Sequence, residues 1–326
     1  MARFFLLKSL LEEAHALDKL EMRRQANQIR SLSLLTRDDD YVNVYRLSKE
    51  FIEQLEQETF ISQPSASRCI HEDVEALNHP EIVKKIYKVP AKFTRKTNLK
   101  RKFGIPGIIG CIDGTLVALK KPADNEERFY CRKGYHARNV QLITDADNIL
   151  NVDPTYGGAT HNSFIFNYCI IKEYLEALTN AGEEVVFLGD SGYGQRAYLM
   201  TPISDAEDNS PDALYNDLHS TARNSVERTK GLLKGRFRCL LVHRVIDYHP
   251  DVVAKIVIAC CFLHNMCNRA GMPALQISEE ERLEEAQGIA EVQKRQTRDL
   301  PSNTNLAIGQ IRRQNLVNRL WCSYHN

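Results

Sequence analysis

The sequence predicts an α/β protein: a mixed sheet flanked by helices, with a smaller helical domain in front of it. Three observations lead there. From about residue 105, short apolar runs rich in β-branched residues replace the leucine-spaced pattern of the first ninety residues. The runs come as three strands, a helix, a strand and then further helices, which is the order of an α/β chain with a mixed sheet. Two of the strand-like runs lead directly into an Asp beside a turn former, at Asp113-Gly114 and at Asp190-Ser191-Gly192.

Each element has its own signal. Over residues 1–58, Leu6, Leu7, Leu10, Leu11, Leu17 and Leu20 recur near helical spacing, and Leu47, Phe51 and Leu55 form an i, i+4, i+8 stripe. Asp38, Asp39 and Asp40 interrupt them as a solvated turn or cap. At residue 62 a capping serine, with Pro64 in the first turn, starts a helix that continues through Val74 and Leu77. This segment reads either as an ordinary capped helix or as a partial helix-turn-helix, with Arg68 on its recognition helix. Pro80 and Pro90 break the pattern, and residues 91–104 form a basic linker holding Lys92, Arg95, Lys96, Lys100, Arg101 and Lys102. Next come a strand over 108–119 and a hairpin of 139–144 with 149–152. A helix is expected over 163–180, a strand over 184–188, and a polar stretch over 204–217 ahead of the helix that carries Glu227. A long apolar helix over 252–267 closes a domain spanning 105–270, and residues 271–326 follow as a helical tail.

Composition narrows the classes. Of the 326 residues, 43% are apolar, enough for a real core, and the net charge of +1 means that any nucleic-acid contact must come from local patches. The acidic run Glu279, Glu280, Glu281, Glu284 and Glu285 reads as a solvated helix face. Nine cysteines, several inside apolar patterns, are not a disulfide framework and point to a reducing, intracellular compartment. Arg3 and Lys8 flank a short apolar cluster that does not make a signal peptide. No stretch reads as the roughly 20 apolar residues of a membrane span.

The chemistry concentrates on Asp113, Asp190 and Glu227. A carboxylate on or just after a buried strand is expensive without a partner, whether metal, arginine or amide. Two such positions in one domain, with Glu227 on a nearby helix, favour a divalent metal site over a simple Asp-Gly turn. Oxygen-only ligands suit Mg²⁺ or Mn²⁺, and a pair of such ions serves phosphoryl transfer. Arg223 with Glu227 at i, i+4 has a plainer reading as a surface ion pair. Beyond Glu227, Lys230, Lys234, Arg236 and Arg238 are expected to lie along a phosphate backbone. Ser191 in Gly189-Asp190-Ser191-Gly192 resembles a hydrolase nucleophile, but the α/β pattern and the motif's position argue against that chemistry. Cys260, His264 and Cys267 share a helix face and read as core rather than as zinc ligands.

Several motifs in order carry a family resemblance: Gly110-Cys111-Ile112-Asp113-Gly114-Thr115, Arg132-Lys133-Gly134, Gly189-Asp190-Ser191-Gly192-Tyr193, Tyr215-Asn216 with His219, Arg223 and Val226-Glu227-Arg228, Lys234-Gly235-Arg236-Phe237, and Ala259-Cys260-Cys261 with Leu263-His264-Asn265. Over residues 104–270 the chain resembles the PIF/Harbinger transposases and the Harbinger transposase-derived nuclease descended from them. The resemblance implies an RNase H-like fold and a DDE endonuclease that acts on DNA by two-metal phosphoryl transfer. It carries the catalytic and metal-binding roles to Asp113, Asp190 and Glu227. It also implies a divalent cofactor, Mg²⁺ or Mn²⁺, a separate Myb-like DNA-binding partner, and action in the nucleus and cytoplasm. Two departures stand out. Thr160-His161-Asn162-Ser163 has an amide where the family usually has an aspartate, which implies a weakened supporting role beside the metal, and the segment before residue 62 is short for a full helix-turn-helix. They leave a second reading in play, a domesticated, non-catalytic nuclear adaptor that keeps the fold for DNA or protein binding.

Overall fold

The computed structural model describes residues 63–86, 102–145, 148–273, 277–279, 281–283 and 303–325. The helices expected over 1–58, the capping serine at 62 and nearly all of the basic linker lie outside them. In chain order the elements are α1 (Gln63–Leu77), α2 (Pro80–Ile86), β1 (Ile108–Ala118), α3 (Glu126–Phe129), β2 (Ala137–Asp145), β3 (Asn148–Gly157), α4 (Asn162–Asn167), α5 (Ile170–Asn180), β4 (Val186–Leu188), β5 (Leu199–Met200), α6 (Pro211–Arg236), α7 (Pro250–Arg269) and α8 (Asn303–His325).

The five strands form one sheet in the order β3-β2-β1-β4-β5. β2 runs antiparallel to both β1 and β3, whereas β4 lies parallel to β1 and β5 parallel to β4. With helices on both faces this is the mixed sheet of an RNase H-like fold. β1 sits in the middle, and its first six residues are all buried, which is why it reads as a continuous apolar run rather than an alternating one. Odd and even residues serve different layers. Val186 and Leu188 pack with Tyr215, Ala222 and Val226 of α6, while Val185 and Phe187 face Phe166, Ile171 and Leu175 of α4 and α5. α7 and α1 cover the part of the sheet that carries Val140, Leu142 and Val152.

The hairpin β2–β3 and the strand before Asp190 fall where the sequence places them. The single helix expected over 163–180 is two helices. In an unbroken helix Ile170 would follow Phe166 on one face at i+4; instead Phe166 is 1% exposed and Ile170 68%, with Ile171 taking the inner position at 3%. The break at Tyr168-Cys169 re-phases the chain so that both pieces turn apolar residues to the sheet. α6 begins inside the stretch read as polar, because Ser210 caps it by accepting the Ala213 amide at 3.2 Å and Pro211 occupies its first position. α7 is, among the described residues, the helix long and apolar enough to cross a membrane, although no such stretch was expected; most of it is buried against the sheet and α1.

α8 does more than trail from the domain. Leu316, Val317 and Leu320 enter the core beside Ile105, Ile108 and Tyr215. Arg312 and Arg313 donate to the carbonyls of Ala197 and Thr201, and Gln195 donates to that of Gly309 at 3.0 Å. A Cβ at Gly309 would stand 2.7–3.1 Å from three backbone atoms of Arg196. Gly309→Ala is therefore expected to push α8 off its seat and cost about 1–3 kcal/mol, read as a lower urea midpoint; an unchanged midpoint would mean that α8 is loosely held.

Candidate active site

The sheet brings the first two carboxylates to one level. β1 and β4 are neighbouring parallel strands in which Cys111 pairs with Leu188, and Asp113 and Asp190 each follow that pair by two residues. Asp113 lies inside β1, opposite Leu142 of β2, rather than at a strand end. Asp190 lies just past the C-terminal end of β4, where open α/β sheets gather ligands. α6 crosses β1 closely enough for the Cys111 thiol to reach the Ala222 carbonyl at 3.5 Å, and so carries Glu227 over the same point. Asp113, Asp190 and Glu227 line one cavity of about 150 Å³, together with Arg223, Lys230, Arg132, Lys133 and Asn162.

The contacts among these groups are short. Arg223 Nη2 is 2.9 Å from Asp113 Oδ2, and Lys230 Nζ is 2.8 Å from the same oxygen. Lys230 Nζ also stands 2.8 Å from Glu227 Oε2, and Arg223 Nη2 lies 3.7 Å from Glu227 Oε1. Asp113 Oδ1 accepts the Gly114 amide at 2.7 Å, and Asp190 Oδ1 accepts that of Gly192 at 2.9 Å. The three carboxyls answer differently. Burial alone would raise the pKa of Asp113, but the Lys230 ammonium, a hydrogen bond from Glu227 and the Arg223 guanidinium outweigh it and hold it at about 2. Asp190 is pushed up by burial and by the Asp113 charge. Glu227 is pushed up mainly by burial and by its place beside Asp113, against the pull of Lys230.

Three carboxylates thus share the cavity with the cations Arg223 and Lys230 in contact with them and with Arg132 and Lys133 on the same lining. The donors are all carboxylate oxygens, which is the chemistry that Mg²⁺ and Mn²⁺ select. Asp113, Asp190 and Glu227 fit such an ion by donor type and charge. Among the described residues no three His, Cys, Asp or Glu side chains stand close enough together to hold an ion as they are; Lys230 and Arg223 lie between the oxygens.

The cavity lining carries further polar residues. Asn139, a buried amide on β2, donates to the Thr160 carbonyl at 2.8 Å and to Asn162 Oδ1 at 3.0 Å. The Asn162 amide in turn lies 2.4–2.8 Å from where a Cβ at position 114 would stand, so a larger residue there would displace that side chain. Arg132 and His161 meet side chain to side chain at the rim.

Several expectations change here. The cations after Glu227 do not form a free phosphate track. Lys234 is 3% exposed and donates to the Leu116 carbonyl at 3.1 Å. Arg236 donates to His264, Asn268 and the Met272 carbonyl, and Arg238 pairs with Glu281. Glu281 is correspondingly buried rather than part of a solvated acidic face. His219 is 1% exposed, hydrogen-bonds the Met200 carbonyl, and has its pKa lowered to about 4, chiefly by burial. Ser191 is outside the cavity lining. Cys260, His264 and Cys267 are core residues, and all nine cysteines are unbridged. What sequence reasoning missed was Lys230 as the partner of two carboxylates, although Arg223, Glu227 and Lys230 at i, i+4 and i+7 carried the signal. Asn139 was legible too, as a polar residue interrupting a buried strand.

Residues 112–265 match the family described as DDE superfamily endonuclease. The chain is 33% identical over 218 residues to the Bos taurus protein named "Putative nuclease HARBI1", an alignment covering 65% of this chain and 61% of that relative. Its Homo sapiens counterpart is 31% identical over the same extent, and "Protein ALP1-like" of Arabidopsis thaliana is 25% identical over 240 residues, 64% of this chain and 55% of that protein. The chain thus spans about three fifths of the length of the HARBI1 relatives. No solved structure matches it. With the RNase H-like sheet and the carboxylate-lined cavity lying largely inside the matched segment, residues 112–265 form a domain that matches the DDE superfamily endonucleases and is similar to the HARBI1 relatives.

Proposed function

We propose that this chain is a divalent-metal-dependent, transposase-derived nuclease that cuts DNA, with Asp113, Asp190 and Glu227 as metal ligands and catalytic residues. The observation that supports this most is the convergence of the three carboxylates, from two adjacent parallel strands and one crossing helix, into one cavity. Bound there, Mg²⁺ or Mn²⁺ would supply an activated water and neutralise charge on the leaving oxygen. The chain's own part is position and charge. Arg223 fixes the Asp113 carboxylate by its 2.9 Å ion pair. Asn139 orients Asn162 on the cavity lining. Arg132 and Lys133 line the same cavity as the carboxylates, where cations can hold a substrate phosphate in line. A separate Myb-like partner for DNA targeting, and action in the nucleus and cytoplasm, belong to the same reading and rest on the family resemblance.

The test is plasmid cleavage with Mn²⁺, wild type beside Glu227→Gln. The substitution keeps the side chain's size and removes its charge; cleavage should fall by about 10²-fold or more. Cleavage by the variant at the wild-type rate would sink the assignment of Glu227, and no cleavage by the wild type on any duplex or nicked substrate would favour the second reading. That second reading is a non-catalytic nuclear adaptor retaining the fold. It draws on Asp113 and Glu227 already having protein cations as partners. Calorimetry with Mn²⁺ separates the two, since an adaptor need bind no metal.

A further inference from the structure

Lys230 holds a position that no surface ion pair requires. Its Nζ is 2.8 Å from Asp113 Oδ2 and 2.8 Å from Glu227 Oε2, and its side chain is only 9% exposed. It comes one turn after Glu227 on α6, so helix geometry points both side chains at β1. A divalent ion shared by these two carboxylates needs the same oxygen lone pairs, at about 2.0–2.1 Å for Mg²⁺, and two cations so close repel strongly in a site shielded from water. Arg223 pairs with Asp113 through a planar fork, whereas Lys230 reaches it with a flexible four-carbon stem that can swing aside.

We propose that Lys230 is a built-in competitor for the metal: its ammonium draws Asp113 and Glu227 together, and it leaves them when a divalent ion takes the pair. Lys230 thereby sets the metal concentration at which the site loads. The proposal rests on the metal reading of these carboxylates given above.

The decisive measurement is Mn²⁺ binding by calorimetry to the wild type and to Lys230→Met, which keeps an unbranched stem without the charge. The variant should bind Mn²⁺ at least tenfold more tightly, and Mn²⁺ should raise its melting temperature more than that of the wild type. In the wild type, acetylation of Lys230 by an amine-reactive reagent, followed by mass spectrometry, should be slow in EDTA and several-fold faster at saturating Mn²⁺. Equal or weaker Mn²⁺ binding by a folded Lys230→Met overturns the proposal, as does Lys230 labelling that Mn²⁺ leaves unchanged. Should the variant not fold, the labelling of the wild type decides alone. The two layers of inference fail differently. Mn²⁺ binding by neither protein removes the metal site itself and the competitor with it; equal binding by both removes only the role of Lys230.

Discussion

Asp113→Ala is expected to remove about 3–5 kcal/mol of stability, the cost of leaving a buried ion pair without one partner. Asp113 is 5% exposed and takes both the Lys230 ammonium and the Arg223 guanidinium on one oxygen. Without it Lys230 keeps only Glu227, whose side chain is 47% exposed, and Arg223 keeps only a 3.7 Å contact. A domain is stable by about 5–15 kcal/mol in all, so this loss is a large share of the whole. Urea unfolding at neutral pH in EDTA measures it, and a loss below about 1 kcal/mol would mean that water screens these pairs as it does on a surface. The pH dependence has a definite sign. Asp113 is held at about 2, below its ordinary 3.8, so its contribution is present in full above 3.8 and is lost as pH falls from there through about 2. One consequence is practical: a loss of metal binding in Asp113→Ala cannot be read as a ligand effect unless the variant is shown to be folded.

Asp190→Asn separates function from folding more cleanly, and the expected result is a protein that is more stable and inactive. On the proposed function, DNA cleavage should drop by about 10³-fold or more, as when a group aimed at transition-state charge is lost. Stability in EDTA should rise by about 0.5–2 kcal/mol, the usual range for removing a functional compromise. The reason is that the fold raises the pKa of Asp190, by burial and by the neighbouring Asp113, and so prefers the neutral form. For such a group the favourable contribution is complete below the unfolded value and is lost as pH rises through the folded one. The amide is neutral throughout and can still accept the Gly192 amide as Asp190 Oδ1 does. The gain of Asp190→Asn over wild type should therefore be absent in acid and grow as pH rises above the ordinary carboxylate range. Equal stability at pH 7 would show that water or another cation already compensates Asp190, and undiminished cleavage would remove it from the site.

Much of the fold was legible because the signals are local. The apolar run before Asp113, the hairpin around residues 145–148 and the run before Asp190 each depend on neighbours a few positions apart. The pairing of β1 with β4, which brings Asp113 and Asp190 level, joins residues more than seventy positions apart and leaves no local trace. The short strand β5 was missed for a related reason: two residues, Leu199 and Met200, are too few to show a period. The break at Tyr168-Cys169 was hidden because all of 163–180 is compatible with helix, and only packing against the sheet decides that Ile171 rather than Ile170 turns inward.

What the sequence by itself determined is the list of charged groups on α6 and their phase: Arg223, Glu227, Lys230 and Lys234 share one side because the helix repeats every 3.6 residues. Only the tertiary structure decided what that side meets. A polar helix face ordinarily faces water, but here it lies over β1, so Lys230 bridges two carboxylates and Lys234 is spent on the Leu116 carbonyl. Spacing along a helix specifies which side chains are neighbours, and it says nothing about whether solvent, a carbonyl or a carboxylate lies opposite. That choice belongs to the sheet, since a buried cation is stable only where the fold supplies it with an oxygen.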